Sequence, residues 1–449
     1  MNTFASLGVP QLLVAALNER GITVPTPIQQ ATLPDSLSGK DLLGRGRTGS
    51  GKTYAFLLPL TARLMADRKP RRARRPRALV LAPTRELAIQ IEESFAPLAE
   101  AASLVSTTIF GGVKQGSQVR ALEAGVDVIF ACPGRLLDLM GQGELTLDDI
   151  EITVLDEADH MADMGFLPMV KRILDRVPKH GQRMLFSATL DGDISVIAKR
   201  YLHNPVVHEA DSAQSPVAAM EHHVLEIGGN DKTRVVADFA AAPGKTIVFT
   251  RTKYGAKKLA RALLKKGVPA VDLHGNLSQN ARTRNMDAFH SGQVSALIAT
   301  DIAARGIHVD DVDLVVHADP PAEHKAYLHR SGRTARAGKA GTVVTLVTDA
   351  QQQEVRGLMR AAGIRPTVAV ANAETLQTLA PGERTYLSPE AAERAAYPDR
   401  EAQQPAKRSK KRRPPKKSGG PAQQQRTGSK KPGTGGKQYG NRSAKRNRS

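Results

Sequence analysis

The sequence is poor in the residues that indicate a disulfide-stapled, membrane-spanning or aromatic-rich protein. It has no tryptophan, only 4% aromatic residues and one cysteine, Cys132, so no intramolecular disulfide framework is available. A lone cysteine fits a reducing cytosol, and the lack of an apolar run of about 18 residues predicts no membrane span. Residues 1–4 also lack the basic-then-apolar order of a secretory signal. We therefore expect a cytoplasmic protein.

Basic charge is concentrated at the carboxyl end of the chain. The formal net charge is +20, and residues 407–449 hold 16 lysines and arginines with no acidic residue. This leaves 48 basic and 44 acidic residues, a net charge of +4, on the rest of the 449-residue chain. A segment of this composition buries too little apolar surface to fold. It favours nonspecific binding of a polyanion, with a merely solubilising tail as the alternative.

A glycine-rich segment at residues 46–53, GRTGSGKT, matches the phosphate-loop pattern G-x-x-x-x-G-K-[ST] without a mismatch. In such a loop, backbone N–H groups cradle phosphate oxygens, and the following helix adds its positive N-terminal end. Lys52 is then expected to reach the β- and γ-phosphates, and the Thr53 hydroxyl to hold Mg²⁺. Taken alone, the match could be an exposed turn.

An apolar, β-branched run ends in acidic residues at 152–159, ITVLDEAD. The run predicts a buried strand, and an open α/β sheet binds its ligands at the carboxyl ends of its strands. We expect Asp156 to hold Mg²⁺ and Glu157 to polarise the attacking water. An Asp-Glu pair alone can be a solvated turn, but with an upstream phosphate loop it predicts nucleotide hydrolysis.

Strands alternate with helical segments through most of the chain, which predicts a mostly parallel α/β fold. The predicted strands are 78–82, 126–131, 152–155 and 184–186 in the first half, and 246–250, 270–273, 296–299, 314–317 and 342–347 in the second. The domain prediction is an N-terminal ATP-binding domain at 1–208, a linker at 209–220, a second domain at 221–368 and a largely disordered basic tail at 369–449. Within that tail, residues 389–396 are expected to be transiently helical. The length and prolines of another basic cluster, at 68–77, predict a surface loop.

The motifs of the chain resemble those of the DEAD-box ATP-dependent RNA helicases of superfamily 2. DEAD itself stands at 156–159, and the other segments follow in the family's order: Phe4 with PTPIQ at 25–29, PTRELA at 83–88, GG at 111–112, PGR at 133–135, SAT at 187–189, QNAR at 279–282, ATDIAARG at 299–306 and HRSGRTAR at 329–336. The resemblance covers residues 4 to 350 and implies two tandem RecA-like parallel-sheet domains with a disordered basic C-terminal tail.

The resemblance also implies that ATP and Mg²⁺ bind in a cleft between the two domains. Phe4 would pack on the adenine, Gln29 would read its edge, and Asp301 would contact the ribose. Arg333 and Arg336, one helical turn apart, would be arginine fingers, which contribute about 10³–10⁵ in rate. The implied catalytic set is Lys52, Asp156, Glu157, Arg333 and Arg336. The nucleotide-binding set is Phe4, Gln29, Arg47, Thr48, Gly49, Ser50, Gly51, Lys52, Thr53, Asp301, Arg333 and Arg336, and Thr53 and Asp156 are the metal ligands.

RNA is the implied partner, as a single strand or short duplex held with little sequence preference through phosphates and 2′-hydroxyls. The implied RNA contacts are Arg85, Gly111, Gly112, Arg135, Thr250, Gly275, Arg282 and Thr300. Asp159, Ser187, Thr189 and His329 would couple hydrolysis to local strand separation. Because ATP and RNA would both favour the closed state, each must tighten the binding of the other.

Several positions depart from the family pattern. Gly46 and Arg47 stand where the family usually has Ala and a polar residue such as Gln, and Cys132 replaces a Thr whose hydroxyl would contact an RNA phosphate. His308 replaces an Asp with a group that titrates near neutrality, which predicts weaker coupling. Ala335 replaces a Gly and is expected to stiffen its turn. None of these changes removes a reacting group, so we expect an active enzyme.

Two other functions remain open at the level of the sequence. One is an ATP-gated RNA clamp or ribonucleoprotein scaffold that hardly unwinds, and the other is an RNA-annealing chaperone that acts mainly through its tail. A DNA helicase is disfavoured because the family's motifs read 2′-hydroxyls. Ribosome assembly, RNA degradation and cold adaptation all remain open as pathways.

Overall fold

The computed structural model describes residues 2–46, 49–190, 192–209, 220–228, 231–304, 312–335 and 341–398, which all belong to one compact unit that spans residues 1–401. Several positions named by the sequence analysis lie outside the described residues. These are Arg47, Thr48, His308, Arg336, the linker residues 210–219 and the basic tail from residue 399.

The first half of the chain forms a seven-stranded sheet in the order β3-β4-β2-β5-β6-β1-β7, and every pairing is parallel. Its strands are β1 (Leu42–Arg45), β2 (Ala78–Leu81), β3 (Ser106–Ile109), β4 (Val128–Ala131), β5 (Ile152–Leu155), β6 (Gln182–Ser187) and β7 (Val206–Glu209). The four predicted strands, β2, β4, β5 and β6, are confirmed. They are buried along their whole length, and strands buried on both faces read as continuous apolar runs.

Helices cover both faces of this sheet. They are α1 (Gln11–Glu19), α2 (Pro27–Leu37), α3 (Lys52–Ala66), α4 (Arg85–Ala102), α5 (Gly116–Ala124), α6 (Pro133–Gly141), α7 (Ala158–Asp163), α8 (Leu167–Leu174) and α9 (Asp193–Tyr201). One core cluster joins α1, α3 and α4 to one face of the sheet, where Phe56 packs against Phe186 with ring centroids 5.5 Å apart. A second cluster packs α6, α8 and α9 on the opposite face.

The second half repeats the same topology, in the order β10-β11-β9-β12-β13-β8-β14, again with parallel pairings. Its strands are β8 (Met220–Glu226), β9 (Thr246–Phe249), β10 (Ala270–Leu273), β11 (Ala296–Ala299), β12 (Leu314–His317), β13 (Gly341–Val347) and β14 (Thr367–Val370). The helices are α10 (Lys232–Ala241), α11 (Lys253–Lys265), α12 (Gln279–His290), α13 (Asp301–Ala304), α14 (His324–Ser331), α15 (Gln352–Ala361), α16 (Ala373–Leu379) and α17 (Pro389–Ala396). The predicted fold class is confirmed, because each half is a RecA-like parallel sheet.

The predicted start of the tail at residue 369 is wrong. Strand β14 pairs with β8 through Val370, and the helix α17 buries Ala392 and Ala396 completely in the core of the second sheet. Between them, Arg384 Nη2 lies 2.9 Å from Asp238 Oδ1. The segment buries mainly small alanine side chains and is otherwise held by polar contacts, so its composition resembles that of a disordered tail.

The basic cluster at 68–77 lies between α3 and β2, as predicted for a surface loop, and carboxylates neutralise most of its charge. The ion pairs include Arg72 and Arg75 with Asp149, Arg74 with Glu123, and Arg77 with Glu151, at 2.7–2.8 Å, and Lys69 and Arg71 also have carboxylate partners. This loop is therefore tied to its own domain. Among the described helices, none combines the length and low charge needed to cross a bilayer.

Candidate nucleotide and nucleic-acid site

The glycine-rich loop turns between β1 and α3, as the sequence predicts. Gly49 and Gly51 have φ of +85° and +93°, in the left-handed region that favours glycine. A β-carbon at Gly51 would lie 2.5 Å from Thr26 Oγ1, so the loop also needs glycine there for close packing. Helix α3 starts immediately afterwards, at Lys52.

Lys52 lies at the base of this loop with only 6% of its surface exposed. Within the described part of the chain, neither its Nζ nor the buried Ser50 Oγ has a hydrogen-bond partner. A buried ammonium group without a hydrogen-bond partner is costly, and the N-terminus of α3, which begins at Lys52, also attracts negative charge. The loop therefore fits an anionic, phosphate-bearing ligand.

Two carboxylates follow β5 beside the loop. Asp156 and Glu157 are 3% and 7% exposed. Burial raises the pKa of Asp156 to about 7, an effect that Lys52 opposes and Glu157 reinforces. Burial would also raise the pKa of Glu157, but the bond from His160, with Lys52 and Arg333, lowers that pKa below its ordinary value. Glu157 is thus held as a carboxylate, as a residue that polarises water requires.

His160 was not predicted as a site residue, although it follows the acidic motif directly. Its Nδ1 lies 3.1 Å from Glu157 Oε2, and both side chains are buried. Glu157 itself has φ of +49°, a left-handed conformation that is strained for a residue with a β-carbon. The bond to His160 therefore helps to hold the Glu157 carboxylate in one orientation.

The residues also fit Mg²⁺. Over the described ranges, no three His, Cys, Asp or Glu side chains form a metal-binding cluster. Mg²⁺ does not need one, because it usually keeps several waters and binds one or two carboxylates together with substrate phosphates. Asp156 and Thr53, with a bound nucleotide, would meet that requirement.

Gln29 is fastened to the phosphate loop. Its Nε2 donates to the Gly51 carbonyl oxygen at 2.8 Å, and its Oε1 accepts from the Thr26 backbone N–H at 2.9 Å. An amide can form two further bonds, so reading of adenine by Gln29 stays a prediction. Phe4 lies in the hydrophobic core and is 1% exposed, so it presents little open ring face, and its packing on adenine also stays a prediction.

The four residues predicted to couple hydrolysis to strand separation lie close together. Asp159 Oδ2 accepts from the backbone N–H groups of Ala188 and Thr189, both at 3.1 Å, and the Asp159 N–H donates to Ser187 Oγ at 3.3 Å. A cavity of about 390 Å³ is lined by Asp159 and Thr189 from the first half and by His329 from the second. The arrangement places these residues where the two sheets meet.

The second sheet presents a buried arginine on α14. Arg330 binds both carboxylate oxygens of Asp301, with Nε–Oδ1 at 2.5 Å and Nη2–Oδ2 at 2.8 Å, and donates to the Asp319 carbonyl oxygen at 2.7 Å. Asp301 keeps 31% of its side chain exposed, so the ribose contact stays a prediction. Arg333 is 6% exposed and lies near enough to Glu157 to lower its pKa. The positive charge of Arg333 therefore acts on the carboxylate of the first sheet, and its role as an arginine finger stays a prediction.

A polar bridge that the sequence did not predict joins the two halves near the RNA motifs. Arg282 Nε donates to Glu86 Oε1 at 2.7 Å, and Gln279 contacts both Glu86 Oε1 and an Arg85 Nη1, each at 3.2 Å. The Arg85 guanidinium also lies over Gly112, where a β-carbon would be only 2.2 Å from it. Two predicted RNA contacts, Arg85 and Arg282, thus already have protein partners.

The remaining predicted RNA contacts are spread along the same edge of the sheets. Thr250 and Thr300 directly follow β9 and β11, and Thr250 Oγ1 donates to the Thr252 carbonyl oxygen at 3.2 Å. Arg135 donates to the Val113 carbonyl oxygen at 3.3 Å. A β-carbon at Gly111 or Gly275 would meet open space, so neither position requires glycine for packing.

Three of the family departures lie in the described part of the chain. Cys132 is the N-cap of α6, and burial raises the pKa of its thiol to about 12, so it is a neutral group there. Ala335 has φ of +55°, which a glycine would adopt without strain. At Gly46, a β-carbon would lie 2.9 Å from Ser50 Oγ, so an alanine there would press on the loop.

Comparison with known proteins agrees with this geometry. Sequence models of the DEAD/DEAH box helicases and of the helicase conserved C-terminal domain match residues 26–196 and 231–338. The ATP-dependent RNA helicase RhlB of Pseudomonas syringae pv. tomato is 38% identical over 74% of this chain and 86% of its own length. The structure of S. cerevisiae Dbp5 bound to RNA and ADP BeF3 matches with a TM-score of 0.72 and 29% identity, over 84% of this chain and 99% of that chain.

Longer relatives match as well. The chloroplastic DEAD-box ATP-dependent RNA helicase 3A of Zea mays is 42% identical over 80% of this chain. The chain spans about half the length of that maize protein, 49%.

Proposed function

This chain belongs to the DEAD-box ATP-dependent RNA helicases, and on that premise we propose that it is an RNA-dependent ATPase that locally separates short RNA duplexes or remodels ribonucleoprotein. The observation that carries the proposal is the pair of buried side chains, Lys52 and Glu157, beside the phosphate loop, with Glu157 held by His160 at 3.1 Å. An ATP site needs both the water-orienting carboxylate and the cation that stabilises charge on the γ-phosphate.

The roles divide between the two sheets. The phosphate loop and the unpartnered Lys52 Nζ would bind the phosphates, while Thr53 and Asp156 would hold Mg²⁺, which neutralises charge that develops on the phosphate oxygens. Glu157, oriented by His160 at 3.1 Å, would accept a hydrogen bond from the attacking water. Arg333 would then stabilise the transferring group when the sheets are together.

RNA would bind along the edge that carries Arg85, Gly112 and Arg282. Contacts of this kind reach the sugar-phosphate backbone, so they give little sequence preference. The adjoining cavity, lined by Asp159, Thr189 and His329, would connect the RNA edge to the nucleotide site. The cytoplasmic location, the RNA-anchoring tail and ribosomal or RNA-degradation partners stay predictions.

The test is ATP hydrolysis with and without single-stranded RNA, in the wild type and in Glu157→Gln. We expect RNA to stimulate the wild type, and the variant to lose about 10²–10⁴-fold in kcat, the usual contribution of a group that acts on the proton in the transition state. Glu93→Gln is the matched control, because Glu93 is exposed on α4, outside the site.

A wild type that hydrolyses ATP equally well without RNA would refute the RNA dependence. A short-duplex assay under the same conditions separates unwinding from clamping, since a clamp would bind RNA with ATP but leave the duplex intact. Annealing that persists in Glu157→Gln would indicate a chaperone instead.

A further inference from the structure

A buried polar network lies beneath α14, the helix that carries Arg330 and ends two residues before Arg333. Tyr327 on α14 is completely buried, and it lies one helical turn before Arg330. Its hydroxyl is 2.8 Å from His222 Nδ1, on β8. Its ring stands edge-on to His317, at the end of β12, with centroids 5.0 Å apart.

The network continues across a third strand. His317 Nδ1 lies 3.1 Å from Thr345 Oγ1, on β13. Four polar side chains therefore join three neighbouring strands to one helix, inside an otherwise apolar core cluster. Among the described residues, the outer Nε2 atoms of His222 and His317 are buried without a hydrogen-bond partner.

We propose that His222, Tyr327, Thr345 and His317 are positioning residues, which fix the height and rotation of α14 on its sheet so that Arg330 and Arg333 are placed for ATP hydrolysis. The inference rests on the proposed ATPase function. It goes beyond that function because none of the four side chains would touch nucleotide, metal or RNA.

The physical reason is that a buried polar network tolerates only one arrangement. If α14 slid or turned on the sheet, the Tyr327 hydroxyl and its histidine partner would lose their bonds in a place that water does not reach, at a cost of about 1–3 kcal/mol for each unpaired group. Apolar contacts alone would resist such a movement much less, because they are non-directional.

The Phe249 ring connects the network to Arg330, one of the two arginines that the network would place. Arg330 stacks over Phe249 with its guanidinium carbon 5.2 Å from the ring centroid, and the same ring stands edge-on to His317 with centroids 6.0 Å apart. Arg330 also holds Asp301 by two bonds. Arg333 follows in the next turn of the chain. A shift of about 1 Å in such a group can cost 10²-fold in rate.

Neither histidine changes its protonation state near neutral pH. Burial, with a smaller effect of the neighbouring His223, lowers the pKa of His222 to about 4. Burial, with Arg330 and His222, lowers the pKa of His317 well below its ordinary value. Both rings are therefore neutral at neutral pH, where each has one donor and one acceptor nitrogen.

The test compares Tyr327→Phe, which removes only the hydroxyl, with His222→Gln and His222→Leu. We expect Tyr327→Phe and His222→Leu to lower kcat of the RNA-stimulated ATPase about tenfold while KM for ATP changes less than twofold. Loss of an interaction that matters only in the transition state lowers kcat and leaves KM unchanged. His222→Gln, which keeps a hydrogen-bonding group but does not titrate, should retain most of kcat.

Val316→Ala is the matched control for stability. Val316 is buried on β12 and faces the opposite core cluster, away from the network. The proposal is wrong if Val316→Ala and Tyr327→Phe lower Tm equally and also lower kcat equally, because the network then only stabilises the fold. It is also wrong if Tyr327→Phe keeps the wild-type kcat.

A second readout does not depend on activity. Amide hydrogen exchange over residues 324–335 should be faster in Tyr327→Phe than in Val316→Ala, when the two variants have the same global stability. Equal exchange rates in this segment would overturn the proposal. A wild type without RNA-stimulated ATPase would refute the proposed function, whereas an active wild type with unaffected variants would refute only this inference.

Discussion

Removing the charge of Glu86 should loosen the connection between the two sheets without unfolding either one. Glu86 and Arg282 are 14% and 12% exposed in their side chains, and the bridge distance is 2.7 Å. Fully exposed pairs contribute about 0–1 kcal/mol, whereas breaking a buried pair costs about 3–5 kcal/mol. The Glu86–Arg282 pair is mostly but not wholly buried, so its contribution to stability should lie between these limits. We take about 1.5–3 kcal/mol, the range of a hydrogen bond to a charged group.

We therefore expect Glu86→Gln to lower the coupling between ATP and RNA by about ten- to a hundredfold, at 1.4 kcal/mol for each factor of ten. The coupling is the ratio of the Kd values for an ATP analogue measured with and without saturating single-stranded RNA. Glu86 is not a predicted RNA ligand, so the change tests the bridge rather than the loss of an RNA contact. Affinity for the analogue without RNA should change little.

The pH dependence of this bridge has a defined sign. Burial would raise the pKa of Glu86, but the charge and hydrogen bond of Arg282 lower it below the ordinary value of 4.5. A depressed carboxyl pKa gives stabilisation that is complete above the ordinary value and is lost as pH falls through the folded-state value. The contribution of the bridge, measured as the difference in coupling between the wild type and Glu86→Gln, should therefore be constant from neutral pH down to pH 4.5. A loss of that difference near neutrality would refute the assignment, as would unchanged coupling in Glu86→Gln.

Two further predictions follow from the backbone and from the charge distribution. Ala335→Gly should raise the free energy of unfolding by about 1 kcal/mol. Ala335 has φ of +55°, and a left-handed residue with a β-carbon is strained by roughly that amount. A lower Tm in the variant would mean that the greater chain entropy of glycine in the unfolded state outweighs the strain. Deleting residues 402–449 should raise the RNA concentration that gives half-maximal ATPase activity, and should make that concentration less dependent on salt. If the deletion leaves this RNA concentration unchanged, the tail is not an RNA anchor.

The interior of each sheet could be predicted from the sequence because its strands are continuous apolar runs. The strands that were not predicted, among them β3, β7 and β14, lie at or near the edges and are partly exposed. Strand β8 was also not predicted, because Glu221 and two histidines interrupt its apolar pattern. Edge strands depend on a neighbour for their bonds, and the neighbour is distant in the sequence.

In the candidate site, the local motifs could be predicted from the sequence, but the contacts between distant residues could not. The segments around Lys52 and Glu157 could be located by their residue types, since phosphate binding and water activation restrict the chemistry. The contacts of Glu86 with Arg282, and of Tyr327 with His222, join positions 196 and 105 residues apart. No local pattern indicates such pairs, because a glutamate or a tyrosine has many possible partners until the chain has folded.

The partners of the site residues also indicate how binding energy would be divided between the two ligands. Arg85 and Arg282 already bond within the protein, so part of the hydrogen-bonding capacity of each guanidinium is in use before RNA binds. Lys52 Nζ is buried and has no described partner, so a phosphate there would relieve a cost instead of exchanging one bond for another. Nucleotide should therefore gain more free energy from its contact with Lys52 than RNA gains from its contacts with Arg85 and Arg282.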